Sequence, residues 1–366
     1  MAIGLDIGSS AVRVAELERH RGGAVRLTHY GEVSLPSGAV VDGDVMEPSI
    51  VADALRELWG SAGLRRRTVA VGLASQRVTV RQIDLPDLPE SDLADAIRLQ
   101  AQDQLPIPVD EALLDHIVVE RYAVGDERHN VRVLLVAAER EMVDRLLAAV
   151  TGAKLHPALV DLEAFALVRS LATGPTNGDH ATGGDASPGG DGPTGGGQVE
   201  LIVDIGAMVT KIAVHRAGHP LFVRMVRLGG DGATRELQKV LDLSWEEAER
   251  AKLDASVAIA AGTELDPDDE RARVLLSSVR RLVTGVRDSL DYFRSQHEGT
   301  DVQRVLLAGG ATLVPGLADQ LRVALELPVE VGDPLRNLDG VDQQDDLQRR
   351  RQFLAVPVGL AMGLLL

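Results

Sequence analysis

Ile3-Gly4-Leu5-Asp6-Ile7-Gly8-Ser9-Ser10-Ala11-Val12-Arg13-Val14-Ala15 opens the chain, and Leu201-Ile202-Val203-Asp204-Ile205-Gly206-Ala207-Met208-Val209-Thr210-Lys211-Ile212-Ala213 repeats it at a constant offset of 198. Asp-Ile-Gly recurs in register, as do Arg13 with Lys211 and Ala15 with Ala213. Each copy reads as an apolar strand, a Gly-containing turn and an alternating strand, the pattern of a β-hairpin. The repetition predicts two related domains, each opened by one hairpin.

A strand ending in Asp-x-Gly has a specific use where a phosphate sits beside a metal. The Gly allows a turn at φ > 0 and a close backbone approach, successive N–H groups point at phosphate oxygens, and the Asp holds Mg²⁺ or its waters. In the first copy Ser9 and Ser10 add hydroxyl donors. A single such hairpin is equally a structural turn, since Asp and Gly are common there. Two copies would let two domains clamp one polyphosphate. A third element, Leu306-Leu307-Ala308-Gly309-Gly310-Ala311-Thr312-Leu313-Val314-Pro315-Gly316-Leu317, places paired Gly at a strand end, leaving bare backbone for a ring or ribose. The helix expected after Pro315 would present its positive end there.

Between the repeats, Ile50, Val51, Ala54, Leu55 and Leu58 recur at helical spacing, with Gly60 and Gly63 ending that helix and a strand from Thr68 to Leu73 following. The next block reads strand (Val78 to Leu85), helix (Leu93, Ile97, Ala101), strand (Ile117 to Tyr122), strand (Val131 to Ala137), helix (Met142 to Val150) and strand, a subdomain of its own over roughly 78–159. Thr173 to Gln198 holds ten Gly and three Pro with no Val, Ile, Leu or aromatic residue, too little apolar area to offset its ordering entropy, and is expected to be a flexible insert. Beyond the second hairpin, Ser244-Trp245-Glu246-Glu247 has capping-box spacing, a long helix is expected from about Arg271 to Gln296, and Val305 to Ala308 reads as a buried strand. The expected organisation is 1–172, the insert 173–198, and 199–366.

Composition removes several function classes. Against 55 Asp plus Glu stand 38 Lys plus Arg in 366 residues, a formal charge of −17, which disfavours nucleic acid because phosphates are held mainly by basic groups. With 45% apolar and 25% charged residues the chain is ordinary for a globular protein. There is no Cys, hence no thiolate metal site, thiol nucleophile or disulfide. The nine His form no HExxH or tight cluster, and no Walker A loop or Gly-x-Ser-x-Gly elbow occurs. The acidic opening lacks a signal peptide's pattern, and the apolar run Leu354 to Leu366 is short of the ~20 residues that span a bilayer, so a cytoplasmic location is expected.

The three motifs in this order resemble the phosphate 1, phosphate 2 and adenosine motifs of the actin, Hsp70 and hexokinase superfold. Further stretches narrow the resemblance: MAIGLDIGSSAVRVAELE, RQIDLPDLPESDLADAIRLQAQDQLPIPVDEALLDH, LLVAAEREMVDRLLAAV, VDLEAFALVRSL, LDLSWEEAERAK, SLDYFRSQ and FLAVPVGLAMG resemble the PilM family of type IV pilus assembly. The segment Leu85 to Ile97 and LPIPVDE at Leu105 to Glu111 are the more family-specific parts, whereas the phosphate motifs belong to the whole superfold. The resemblance implies a duplicated actin/Hsp70-like α/β nucleotide-binding fold with an inserted α+β subdomain in the first half.

It also implies site residues. Asp6, Gly8, Ser9 and Ser10 fall on the first phosphate hairpin; Asp204, Gly206, Ala207 and Thr210 fall on the second. Gly229 falls where backbone nears the nucleotide, Glu249 and Lys252 on a helix facing ribose and base, and Gly309, Gly310 and Thr312 on the adenosine motif. ATP and Mg are the implied cofactors, with Asp6 and Asp204 on the metal through water. Met208 departs from the small or hydroxyl residue usual there, removing one side-chain donor. Glu163, near the helix linking the domains, is the candidate catalytic acid, and it also suits the first turn of a helix without any such role. Binding is the expectation, with at most a slow Mg-dependent ATPase.

The partner implied is the cytoplasmic N-terminal tail of a PilN-like inner-membrane protein, held in a groove between core and subdomain in a nucleotide-dependent way. That would make the chain a scaffold at the inner face of the membrane, with self-association allowed for. An FtsA-like division scaffold is the alternative, disfavoured because the C-terminal residues 355–366 carry no basic amphipathic face for direct membrane binding. A small-molecule kinase of the superfold is less favoured, since the only sizeable insertion is Gly-rich, and an Hsp70-type chaperone would need a substrate-binding domain after the core.

Overall fold

The computed structural model describes the chain apart from residues 21, 125–127, 174–196, 261–268, 298, 315 and 340–344. Most of the expected Gly-rich insert and Pro315 therefore lie outside the described residues.

In the first half, β1 (Ala2–Ile7) and β2 (Ala11–Arg19) form an antiparallel hairpin in which Asp6 faces Arg13 and Gly4 faces Ala15. β3 (Val25–Ser34) extends it, a small β4 (Val40–Val41) and β5 (Asp44–Val45) hairpin follows, and α1 (Pro48–Ser61) leads into β6 (Thr68–Leu73). The inserted block is β7 (Val78–Pro86), α2 (Glu90–Gln104), β8 (Ala112–Val124) and β9 (Arg128–Glu139), followed by α3 (Arg140–Gly152), β10 (His156–Leu162) and α4 (Glu163–Leu171). The element order of the block agrees with the sequence reading.

The second half repeats the plan. β11 (Val199–Ile205) and β12 (Thr210–Arg216) pair with Asp204 facing Lys211 and Ile202 facing Ala213, and β13 (His219–Val226) extends them. Then come α5 (Asp231–Leu241), α6 (Trp245–Ala260), α7 (Glu270–Gln296), β14 (Arg304–Ala308), α8 (Leu317–Leu325), β15 (Val329–Val331), α9 (Asp345–Arg350) and α10 (Ala355–Gly363). The predicted capping box starts α6: Ser244 N–H donates to Glu247 Oε2 (2.9 Å) and Glu247 N–H to Ser244 Oγ (3.3 Å). Such a cap is worth about 1 kcal/mol.

The two five-stranded sheets have the same order, β10-β6-β1-β2-β3 and β15-β14-β11-β12-β13. In each, the opening strand pairs antiparallel with its hairpin partner and parallel with the strand on its other side. This is the duplicated α/β fold that the repeat predicted. β1 lacks polar–apolar alternation because both of its faces are covered. Ile3 and Leu5 pack with Val51, Leu55 and Leu58 of α1, while Ala2 joins Val358 and Ala361 of α10.

Two boundaries differ from the sequence reading. The inserted sheet is β7-β9-β8, with its own core of Ile83, Leu85, Leu93, Ile97, Val131, Val133 and Leu135, so it occupies 78–139. α3 packs on α1, and β10 pairs with β6, so residues 140–159 belong to the first core. Similarly, α10 packs against β1 and α4 rather than the sheet of its own half. A Cβ on Gly4 would lie 1.9 Å from Pro357 O, and one on Gly359 1.8 Å from Ala166 O. Backbones that close exclude any larger residue. Burial in this crossing explains the apolar C-terminal run. Among the described residues, no helix is long and apolar enough to cross a membrane.

Candidate functional site

Both hairpin tips open onto one cleft of about 420 Å³ between the halves. The tips are built alike. Gly8 N–H donates to Ala11 O at 3.0 Å and Gly206 N–H to Val209 O at 3.1 Å. Neither glycine takes a positive φ, which corrects the expected left-handed turn. Space is the constraint instead, since a Cβ would lie 3.2 Å from Ala11 O in the first tip and 3.0 Å from Val209 O in the second. Among the described residues, the N–H groups of Ser9, Ser10, Ala207 and Met208 donate to no backbone carbonyl, so four donors remain at the tips.

Between the tips lies a buried charge cluster. Lys211 Nζ is 2.6 Å from Asp204 Oδ2 and donates to Glu163 Oε2 at 2.7 Å. Asp6 lies on the opposite tip, with Arg13 Nη1 3.6 Å from its Oδ2. Arg13 turns mainly outward: its Nε donates to Glu32 Oε2 at 2.5 Å and its guanidinium lies over the Phe353 ring at 5.0 Å. The Glu163 side chain starts at the first residue of α4, and Gly72 on β6 makes room for it, since a Cβ there would lie 2.5 Å from Glu163 Cγ.

Burial dominates the electrostatics. It pushes Glu163 up to about 7, aided by the like charges of Asp6 and Asp204 and opposed by Lys211. Asp6 is also raised by burial, against the pull of Lys211 and Arg13. For Lys211 burial acts the other way, but Asp204, Glu163 and Asp6 outweigh it and hold the ammonium charged. Three carboxylates thus share two cations, one of which also serves Glu32, and the cluster has room for added positive charge.

The rest of the cleft is apolar. Trp245 and Leu253 of α6, Leu275, Val279 and Leu282 of α7, and Leu313 line it. Glu249 and Lys252 border this region on the same α6 stripe as Trp245, tied together with Thr234. Lys252 Nζ donates to Glu249 Oε1 (2.5 Å) and to Thr234 Oγ1 (2.9 Å). Gly309 ends β14 at φ 79°, so near the second hairpin that a Cβ would lie 2.4 Å from Asp204 Oδ1.

Of the residues expected at the site, Asp6, Gly8, Ser9, Ser10, Glu163, Asp204, Gly206, Ala207, Glu249, Lys252, Gly309 and Gly310 line this cleft. Thr210, Thr312 and Gly229 are not among its lining residues. The Thr210 hydroxyl donates to Leu228 O (2.7 Å), tying the start of β12 to the loop after β13, and that of Thr312 donates to Gly309 O (2.9 Å), bracing its own turn. Gly229 lets its loop press on the second hairpin, where Gly230 N–H donates to Gly206 O (3.0 Å) and Asp231 N–H to Ala207 O (2.8 Å). The sequence reading missed Lys211, Arg13, Phe353 and Trp245 as cleft residues. The Arg13/Lys211 register was visible, but its meaning required Glu163 to arrive opposite.

Residues 4–364 match the family described as type IV pilus assembly protein PilM. The chain belongs to the PilM family. A solved chain of a PilM-PilN type IV pilus biogenesis complex superposes with a TM-score of 0.81 at 26% identity, covering 99% of this chain and 98% of that one. MreB 5 of Spiroplasma citri bound to AMPPNP shares the fold at a TM-score of 0.50 and 12% identity, covering 98% and 93%. Among curated relatives, FtsA of Agrobacterium fabrum is 27% identical over 150 residues, and the chain spans 34% of that protein's length with 36% of its own. FtsA of Streptococcus pneumoniae is 23% identical over 372 residues, covering 90% of this chain and 76% of that one.

Proposed function

We propose that this PilM-family protein binds Mg·ATP between its hairpins and docks the cytoplasmic tail of a PilN-like inner-membrane protein, as a scaffold at the membrane's inner face. The observation that carries the nucleotide reading is the pair of equivalent tips, Asp6 with its Gly8-Ser9-Ser10 turn and Asp204 with its Gly206-Ala207-Met208 turn, open to one cleft. Four backbone donors at the tips suit phosphate oxygens, and the apolar end beside Glu249 and Lys252 suits a ribose and base. The fold relative MreB 5 is bound to a nucleotide analogue.

Among the described residues no group of three or more His, Asp or Glu is arranged to hold a metal ion. The donor set fits an ion whose inner shell is phosphate and water, with Asp6 and Asp204 holding those waters. Magnesium would there neutralise phosphate charge. Glu163 stands where it could orient a water, but a buried carboxyl bonded to Lys211 suits holding better than turnover. Binding is the proposed activity.

The partner reading rests on family membership and on near-complete superposition with a chain of a PilM-PilN complex. Closure of the cleft around ATP would alter how the core meets the 78–139 sheet, so a groove spanning them could prefer one nucleotide state. Mg·ATP affinity of the intact protein beside Asp6→Ala and Asp204→Ala tests the site, and equal affinity in all three overturns it. Capture of a bitopic membrane protein's cytoplasmic tail, with surface residues of 78–139 altered as control, tests docking. A tail held equally well after that change moves the docking surface elsewhere.

A further inference from the structure

Lys211 places its ammonium between two buried carboxylates. Its ammonium lies 2.6 Å from Asp204 Oδ2 and 2.7 Å from Glu163 Oε2, with all three side chains at least nine-tenths buried. Those separations are those of short charge-assisted hydrogen bonds, so the ammonium satisfies both carboxylates at once. The carboxylates come from different halves of the fold, Asp204 from β11 and Glu163 from the start of α4. The cation therefore joins the halves as well as neutralising them.

We propose that the Lys211 ammonium is a built-in cation occupying the seat between Asp204 and Glu163, so that the empty cleft refuses divalent metal and takes it only together with phosphate. An added divalent ion would have to displace an ammonium tethered to the chain, and so at an effective concentration no free ion matches. A polyphosphate changes that balance by bringing its own oxygens. Only this last step rests on the nucleotide reading; the refusal of free metal does not.

The experiment uses Mn²⁺ without nucleotide, followed by electron paramagnetic resonance on the full chain. Wild type is expected to bind Mn²⁺ no tighter than about 1 mM. Lys211→Met, which keeps most of the apolar stem and removes the ammonium, should gain a Mn²⁺ site at least about tenfold tighter and rise in melting temperature as Mn²⁺ is added, as a vacated carboxylate seat requires. Lys211→Arg should stay like wild type, and Glu163→Gln added to Lys211→Met should abolish the gain. Tight Mn²⁺ binding by wild type alone overturns the proposal even if no variant folds. So does a folded Lys211→Met that gains nothing. Should ATP fail to bind wild type while these metal results hold, the nucleotide reading falls and the cation seat stands.

Discussion

The hairpins ending at Asp6 and Asp204 share register, turn and place in their sheets, yet their cations behave differently. Arg13 holds its aspartate only at 3.6 Å and spends its fork mainly on Glu32 and the Phe353 ring. Lys211 turns inward and couples its aspartate to Glu163 across the halves. The comparison teaches that duplication preserved the backbone cradle while the side chain after it diverged. A planar guanidinium suits an outward ledge with an aromatic neighbour, whereas a compact ammonium fits a closed space between two carboxylates.

The comparison breaks most readily at the cations. Lys211→Met should lower unfolding free energy by about 3–5 kcal/mol in metal-free buffer, because it strands two buried carboxylates, while Arg13→Met should cost less, about 1–2 kcal/mol, because its nearer partner Glu32 is 30% exposed and can be solvated. Urea melts of both variants check this, and equal costs would erase the asymmetry.

Next in size is a pH effect. The folded protein holds the Glu163 proton up to about pH 7, whereas an unfolded carboxyl releases it near 4.5. Its contribution to stability is therefore full below about pH 4.5 and lost as pH rises through 7, a change on the order of 3 kcal/mol. Glu163→Gln should flatten that slope in nucleotide-free melts taken from pH 4 to 8. An unchanged slope would remove Glu163 from the cluster's titration.

Asp6→Ala and Asp204→Ala should each weaken Mg·ATP by about 10- to 100-fold in calorimetry, the worth of a lost charge-assisted contact. A loss confined to Asp204 would mean the two cradles no longer share one ligand. Smallest of all, Phe353→Leu should cost about 0.5–1 kcal/mol through its cation–π contact with Arg13, a contact that among the described residues has no counterpart at Lys211.

Much of this was legible in the chain. The hairpins, the block order of the subdomain and the capping box at Ser244 are local patterns, and local patterns are readable from neighbours in sequence. What escaped depends on distant chain segments. Glu163 meets Lys211 only because α4 crosses to the second half, and Phe353 meets Arg13 only because the residues before α10 return to the first. The resemblance puts Thr210 on the second phosphate hairpin and Thr312 on the adenosine motif, but the Thr312 hydroxyl is taken by a carbonyl of its own turn and that of Thr210 by the distant Leu228 carbonyl. The boundary at 159 erred because a strand's hydrophobicity does not say which sheet it joins.

The α10 crossing sets Gly4 of β1 against Pro357 and Gly359 against Ala166 of α4, joining segments far apart in the chain. During synthesis the opening strand must wait, one apolar flank bare, until some 350 further residues have left the ribosome. Completion of the first core is therefore expected to depend on a long-range closure. Expressed alone as 1–172, that half should form soluble oligomers or aggregates, and a supplied peptide spanning 351–366 should restore its monomer.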